Sequence, residues 1–272
     1  MSRQSDLPAS EALPDDLAAA LVRARARLGR FGEELCFYSS VGSTNDVADA
    51  LAKAGVSEGT AVVAEAQTAG RGRMGRVWFS PPGAGLYTSV VLRPATLVSS
   101  ARCTLLAGVA LADALRETTG LPVVIKWPND LLVGGRKVCG ILAEASSREG
   151  SIPHVIVGFG INLRRTTYPP EIANNATSIE AELGRAVERG AVLVAALVAL
   201  SAGVADLQAS RFDAILNRWR ALSPGSLGSR VEWDAAGGLR RGTTAGIDEE
   251  GALLVSVTGG VERIIGGEVR WL

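Results

Sequence analysis

The sequence predicts an α+β fold: a mixed, largely antiparallel sheet with helices, followed by a small C-terminal SH3-like β-barrel. Three observations carry this. Apolar runs follow one another across tight turns such as Gly134-Gly135, which join antiparallel neighbours. Helical patterns interrupt these runs only a few times, so alternating β-α-β units do not fit. The composition then changes after Ser223-Pro224-Gly225-Ser226, where short strand candidates and glycine turns take over. Residues 1–34 read as an N-terminal arm with a short helix, 35–223 as the main domain and 224–272 as the barrel.

Taken in order, residues 1–13 read as disordered. Pro14, Asp15 and Asp16 then start a helix with Leu17, Leu21 and Leu28 on its apolar side, and Gly29 ends it. Strands are expected at 35–41, 60–69, 86–93, 122–126, 131–133, 137–145 and 154–163. Helices are expected at 45–54, about 99–118 and about 187–222. Glu149-Gly150 is a second turn, which makes 131–163 a meander. The barrel strands are placed at 230–233, 239–247, 252–257 and 261–266, joined at Gly237-Gly238, Glu250-Gly251 and Gly259-Gly260.

Composition excludes several classes. A formal net charge of zero argues against a dedicated nucleic-acid binder. Cys36, Cys103 and Cys139 lack metal-ligand spacing and read as reduced core residues of a cytoplasmic protein, and no metal site is expected. The single histidine, His154, lies in an apolar run and reads as structural. The N-terminus carries acids rather than a secretory signal. The longest apolar run, 191–200, falls short of the ~20 residues a membrane span needs, so it reads as a buried helix.

The densest chemistry is Gly70-Arg71-Gly72-Arg73-Met74-Gly75-Arg76. Glycines let the backbone bend and approach a ligand closely. Three neighbouring cations repel unless an anion sits among them. The spacing mimics a dinucleotide fingerprint, but that motif needs a helix to start within it. Here Val77-Trp78-Phe79-Ser80-Pro81-Pro82 follows, which cannot be helical. A P-loop is absent too. The reading is a flexible loop over a phosphate or carboxylate, with a solvated basic turn as the alternative.

Three further segments look over-specified. Ser39-Ser40-Val41-Gly42-Ser43-Thr44-Asn45 joins a strand to a helix; it offers either a plain N-cap or a polar ligand cradle. Lys126-Trp127-Pro128-Asn129-Asp130 puts a lysine at the end of an apolar strand, as a fixed cation or a snorkelling one. Gly158-Phe159-Gly160-Ile161-Asn162 puts glycines inside a strand, for a bulge or a close approach.

Together with Glu65-Ala66-Gln67-Thr68-Ala69 and Lys137-Val138-Cys139-Gly140-Ile141-Leu142-Ala143-Glu144, these segments resemble the biotin–protein ligase family in order and spacing. The resemblance covers roughly residues 35–272. It implies a class II synthetase-like catalytic domain of the biotin–lipoate ligase type and the small C-terminal barrel. It also implies a two-step reaction. The biotin carboxylate attacks the α-phosphorus of ATP, giving biotinyl-5′-AMP and pyrophosphate. A carrier lysine then attacks the mixed anhydride and releases AMP.

The resemblance assigns residues as well. Arg73 and Lys126 would contact the carboxylate and α-phosphate as catalytic groups. Ser43, Thr44, Asn45, Gln67, Arg71, Gly72, Trp78, Gly140, Gly158 and Gly160 would shape the biotin site. Arg76, Asn129 and Asn162 would join Arg73 on the nucleotide side. Mg²⁺ would accompany ATP, with Asp130 nearby, and a biotin carboxyl carrier domain would supply the acceptor lysine. The short arm before the first strand implies a form without DNA binding, monomeric or weakly dimeric. The segment 166–178 sits where the family covers adenine; it carries Tyr168 and no tryptophan. Lipoate or octanoate transfer is the alternative within the fold, and a non-catalytic biotin sensor the alternative outside it.

Overall fold

The computed structural model describes residues 9–94, 99–146, 153–235 and 237–272. In chain order the strands are β1 (Leu35–Tyr38), β2 (Ala61–Ala64), β3 (Gly85–Leu92), β4 (Val124–Lys126), β5 (Asp130–Val133), β6 (Arg136–Ser146), β7 (His154–Asn162), β8 (Leu227–Ala235), β9 (Gly238–Ile247), β10 (Leu253–Val257), β11 (Gly260–Ile264) and β12 (Val269–Trp271). The helices are α1 (Asp15–Leu28), α2 (Thr44–Ala54), α3 (Ser100–Thr119), α4 (Pro170–Ala173), α5 (Ile179–Leu183), α6 (Arg189–Gln208) and α7 (Phe212–Leu222).

The main sheet runs β1-β2-β3-β7-β6-β5-β4, with β1 and β2 parallel and every other pair antiparallel. The expectation of a mixed, largely antiparallel sheet is met. Helices α1, α3, α6 and α7 stack on one face, and α2 covers part of the other against β2, β3 and β7. The larger core lies under the four helices and includes Leu106, Leu111, Leu115 and Trp219. A smaller apolar cluster under α2 holds Val47, Ala48, Val62, Val91 and Ile156.

Local chemistry explains the element ends. Asp15 and Asp16 occupy the first turn of α1, where carboxylates complement the helix dipole. Its buried residues Leu17, Ala20, Ala24 and Leu28 keep helical spacing and pack on α6. That crossing is tight: a Cβ on Gly190 would lie 2.6 Å from the Ala20 Cβ. Arg189 locks it, donating to both Asp16 oxygens at 3.0 and 2.9 Å and to Glu65 at 2.5 Å.

The single long helix expected over about 187–222 is two helices. Ser210 adopts φ +58 between α6 and α7, which a continuous helix cannot contain. Helix α6 is long and apolar enough to cross a membrane by length and composition, but it packs against α1, α3 and α7 as a core helix. Disorder over 1–13 is also corrected at its end. The Glu11 amide donates to the Phe37 carbonyl, and the Ser10 hydroxyl accepts from the Phe37 amide. Residues 1–8, and the turn expected at Glu149-Gly150, lie outside the described residues.

The C-terminal strands form an antiparallel sheet in the order β11-β10-β9-β8-β12. Its edges, β11 and β12, share no ladder among the described residues, so the sheet is open and the expected SH3-like barrel goes no further here than this five-stranded sheet. Strand β12 was not anticipated; three residues are too few for a pattern. The sheet seats firmly on the main domain. Gly251 has φ +87, and a Cβ there would lie 2.4 Å from a Leu105 methyl, so only glycine fits. Its carbonyl accepts from the Trp127 indole at 3.0 Å.

Candidate functional site

Strand pairing builds a floor without side chains. Gly140 on β6 lies opposite Gly160 on β7, and Gly158 lies opposite Ser89 on β3. Gly158 and Gly160 share a face by the two-residue strand period. A Cβ on Gly160 would sit 2.2 Å from the Trp78 indole nitrogen, and one on Gly140 would sit 2.8 Å from the Trp78 ring. A Cβ on Gly158 would lie 2.0 Å from the Asn45 side-chain oxygen. The three predicted glycines therefore come together, with Trp78 and Asn45 resting directly on them. The Trp78 indole N–H is buried without a partner among the described residues, which costs about 1–3 kcal/mol.

A polar row borders the floor where α2 begins. The amide and hydroxyl of Thr44 lie 2.9 and 3.1 Å from Gln67 Oε1. The Gln67 amide donates to Ser80 Oγ at 2.9 Å, and the Ser80 hydroxyl donates to the Trp78 carbonyl at 3.0 Å. On the other side, Ser89 Oγ lies 2.8 Å from Thr44 Oγ1 and 2.6 Å from Asn45 Oδ1. The Asn45 amide nitrogen donates to Glu144 Oε2 at 2.6 Å. Ser43 is buried at the N-cap position, but its side chain caps no helix amide. Gln67 reaches this row because the strand expected over 60–69 stops at Ala64. Beyond it the Gln67 amide bonds to the Ser80 carbonyl instead of continuing the ladder.

The four candidate cations part company. Arg71 is held outward by Asp46 at 2.9 Å and Glu144 at 2.8 Å, so it staples the loop to α2 and β6. Arg73 is half-buried and donates to Asn129 Oδ1 at 3.3 Å. Burial pulls its pKa down; Asp130 opposes that shift and Arg76 adds to it. Arginine stays protonated regardless, so this is a partly desolvated positive charge suited to an anion. Arg76 pairs with Glu268 across to the C-terminal sheet. Lys126 turns its ammonium over the Trp271 ring, 5.0 Å from the centroid.

Lys137, which was not among the sequence-based candidates, stands over the glycine floor. Its Nζ lies 2.6 Å from Asp130, 5.1 Å from the Trp78 ring centroid and 3.1 Å from the Cβ position of Gly140. A regular strand would put residues 137 and 140 on opposite faces. The β5–β6 register slips between Leu131 and Leu132, pairing Leu131 with Cys139 but Leu132 with Lys137. That bulge absorbs one residue and brings Lys137 onto the face of Gly140.

At the far end of the floor, the Asn162 amide donates to the Thr177 carbonyl at 3.0 Å and the Lys137 carbonyl at 3.3 Å. The Asn129 amide donates to the Ile141 carbonyl at 2.8 Å. Both asparagines thus brace the backbone around Lys137. Within 166–178, Tyr168 donates to the Thr177 carbonyl at 3.0 Å and meets Phe79 edge-on at 6.3 Å between centroids. Burial pushes its phenol up to about 12. Gly72 lies on the loop between Arg71 and Arg73, its amide donating to the Arg76 carbonyl at 2.7 Å. His154 sits at the opposite end of β7 and pairs with Asp49 at 2.9 Å.

Sequence reasoning missed three participants. Lys137 and Glu144 stand inside a motif already singled out, yet the face of Lys137 depends on the bulge, and the partners of Glu144 are distant in sequence. Ser89 lies in an apolar strand with no local signal. No group of three or more His, Cys, Asp or Glu able to hold a metal occurs among the described residues.

Comparison with known proteins agrees with this geometry. The model of the biotin/lipoate A/B protein ligase family matches residues 37–162. The chain is 34% identical over 260 residues to the bifunctional ligase/repressor BirA of Bacillus subtilis, covering 94% of this chain and 80% of that protein. It is 36% identical to the biotin–[acetyl-CoA-carboxylase] ligase of Paracoccus denitrificans over 233 residues, covering 84% of this chain and 96% of the relative. The solved biotin protein ligase from Aquifex aeolicus in complex with biotin and ATP superposes with a TM-score of 0.76 at 32% identity, covering 88% of this chain and 99% of that one. With its glycine floor, polar row and cationic loop, the chain belongs to the biotin/lipoate A/B protein ligase family, among the biotin–protein ligases.

Proposed function

We infer that this protein activates biotin with ATP to biotinyl-5′-AMP and transfers the biotinyl group to a lysine of a biotin carboxyl carrier domain. The observation that carries this is the pair of cations at one end of the glycine floor. Arg73 and Lys137 are held by the adjacent residues Asn129 and Asp130. A carboxylate and a triphosphate repel, and two fixed cations in a partly dry site lower that repulsion before the bond forms. The carboxylate oxygen attacks the α-phosphorus and pyrophosphate leaves. In the second step a neutral lysine amine attacks the carbonyl carbon, AMP leaves with the phosphate oxygen, and the amine sheds a proton.

The row Thr44–Gln67–Ser89–Asn45 suits the ureido group, and the floor with Trp78 suits the thioether ring and valeryl chain. Ser43 borders this end. Arg73 and Lys137 take the carboxylate and the α-phosphate. Arg71 and Gly72 hold the loop over the intermediate, with Arg76 at the phosphate side. Asn129 and Asn162 position the nucleotide end. Mg²⁺ belongs with the nucleotide in this reading, since Asp130 is already engaged by Lys137. No catalytic histidine or cysteine is needed; burial pushes the Cys139 thiol up and Cys103 to about 12.

ATP-dependent transfer of radiolabelled biotin to a purified carrier domain tests the reading. Transfer of biotin is expected, with none of lipoate. Labelling by lipoate, or biotin binding without transfer, would replace it by one of the two alternatives.

A further inference from the structure

The loop that carries Arg73 ends in an exposed apolar tip, and we propose that Met74, with Val77 on the same loop and Ile265 beside β11, is the surface on which the carrier domain docks to present its lysine. The proposal rests on the ligase reading and adds acceptor recognition to it.

The loop is a short hairpin. Arg71 and Val77 pair in an antiparallel bridge, and the Gly72 amide donates to the Arg76 carbonyl at 2.7 Å. The Arg76 amide closes the turn on the Arg73 carbonyl at 3.2 Å. Both central residues of that turn have positive φ, Met74 at +57 and Gly75 at +73. A mirror-image turn of this kind favours Asn-Gly, Asp-Gly or Gly-Gly, because an ordinary L side chain is strained at positive φ. Methionine at 74 therefore opposes the backbone it sits on. Packing does not compensate, since Met74 is 69% exposed while the neighbouring Arg73 reaches inward to Asn129.

Val77 is 82% exposed and Ile265 75%. The segment after Ile265 borders the loop: a Cβ on Gly266 would lie 3.7 Å from the Arg73 guanidinium, and Glu268 pairs with Arg76. On the other flank Arg71 is held by Asp46 and Glu144. The hairpin is thus anchored on both sides with its tip in solvent. A single exposed apolar residue is ordinary, but three on two segments that meet at one site mark an interaction surface.

The chemistry of the second step names the occupant. A lysine stem is only a few carbons long, so the carrier backbone must come up against the loop that holds the mixed anhydride. Methionine suits that contact, because its flexible, polarisable side chain adapts to the surface it meets.

The experiment compares a purified carrier domain with hydroxylamine as acceptors, and follows adenylate formation by pyrophosphate release. Hydroxylamine needs no docking: its nitrogen bonds to the same carbonyl carbon, the bond to the phosphate oxygen breaks, AMP leaves and the nitrogen sheds a proton. Met74→Asn, which suits the turn better, should raise KM for the carrier domain at least about fivefold. Adenylate formation and capture by hydroxylamine should stay within about twofold. Ile265→Ser should act in the same direction as Met74→Asn. Met74→Leu, which stays apolar, should hold KM for the carrier within about twofold. Val22→Gln is the control, removing an equally exposed apolar residue from α1, which packs on α6, and should change nothing. A wild type that biotinylates the carrier, with its KM unmoved by Met74→Asn, overturns the proposal alone. So does an equal loss with hydroxylamine, which would put Met74 in the reaction itself. A wild-type dimer lost in Met74→Asn, with KM for the carrier unmoved, would give the patch to a second copy of the chain and overturn it too. A wild type that transfers no biotin removes the ligase reading and the proposal with it.

Discussion

Lys137 holds its ammonium 2.6 Å from the Asp130 carboxylate while its stem crosses the floor at Gly140. The partner balances the charge of the lysine and fixes where it points. An incoming carboxylate or phosphate then meets a cation already aimed. Charge-assisted contacts of this kind contribute about 1.5–3 kcal/mol each. Lys137→Ala is therefore expected to lower kcat/KM for adenylate formation by about ten- to a hundredfold or more, since 1.36 kcal/mol is tenfold in rate. Lys126→Ala should cost much less, because its ammonium rests on Trp271. Pyrophosphate release with the two variants side by side checks the order; a larger loss at Lys126 would reverse the assignment.

That contrast shows what was legible in the sequence. The order of strands, the helices α1 to α3 and the glycine floor follow from apolar runs, turns and caps, all of which are local. The choice between Lys126 and Lys137 is not local. It depends on a one-residue slip between β5 and β6, which no pattern of residue types records. The break between α6 and α7 was hidden because Ala209-Ser210-Arg211 holds no proline or glycine to mark the left-handed Ser210. Arg71 looked like an anion ligand because Asp46 and Glu144 are distant in sequence from the loop.

Arg73 lies on the loop and reaches Asn129 at 3.3 Å, a weak contact for a half-buried cation. Its hold on the intermediate is therefore separable from the fold. Arg73→Gly is expected to leave adenylate formation measurable but to release biotinyl-5′-AMP early, so that lysines of unrelated proteins become labelled. Labelling of a bystander protein mixed with the carrier domain reads this directly. Confinement of label to the carrier, with no faster escape of the adenylate, would contradict it.

Gly160 and Gly158 lie two residues apart under different side chains, so alanine at each should fail differently. Gly160→Ala pushes into the Trp78 indole, which lies outside the regular strands and helices, and should weaken biotin binding while sparing the melting temperature. Gly158→Ala pushes into Asn45 at the base of α2, which cannot yield without breaking the polar row. Overpacking there costs about 1–3 kcal/mol. Denaturant midpoints and biotin Kd values for the two variants separate these outcomes; equal effects on stability would mean that Trp78 is as rigidly held as α2.

Away from the site, Asp16 and Arg189 couple α1 to α6 and, through Glu65, to the sheet. The hydrogen bonds from Arg189 hold the Asp16 carboxyl below its ordinary 3.8. A depressed carboxyl stabilises the fold above its unfolded pKa, and that contribution disappears as pH falls through the folded value. The pair is thus fully effective at neutral pH and lost progressively below about pH 4. Asp16 is half exposed, so solvent screening keeps its contribution under about 1 kcal/mol. Asp16→Asn should lower stability slightly at pH 7 and flatten the acid limb of the stability curve. Urea unfolding from pH 7 down to pH 3 tests the sign, because a destabilisation that grows as pH falls would require Asp16 to be held above 3.8 instead.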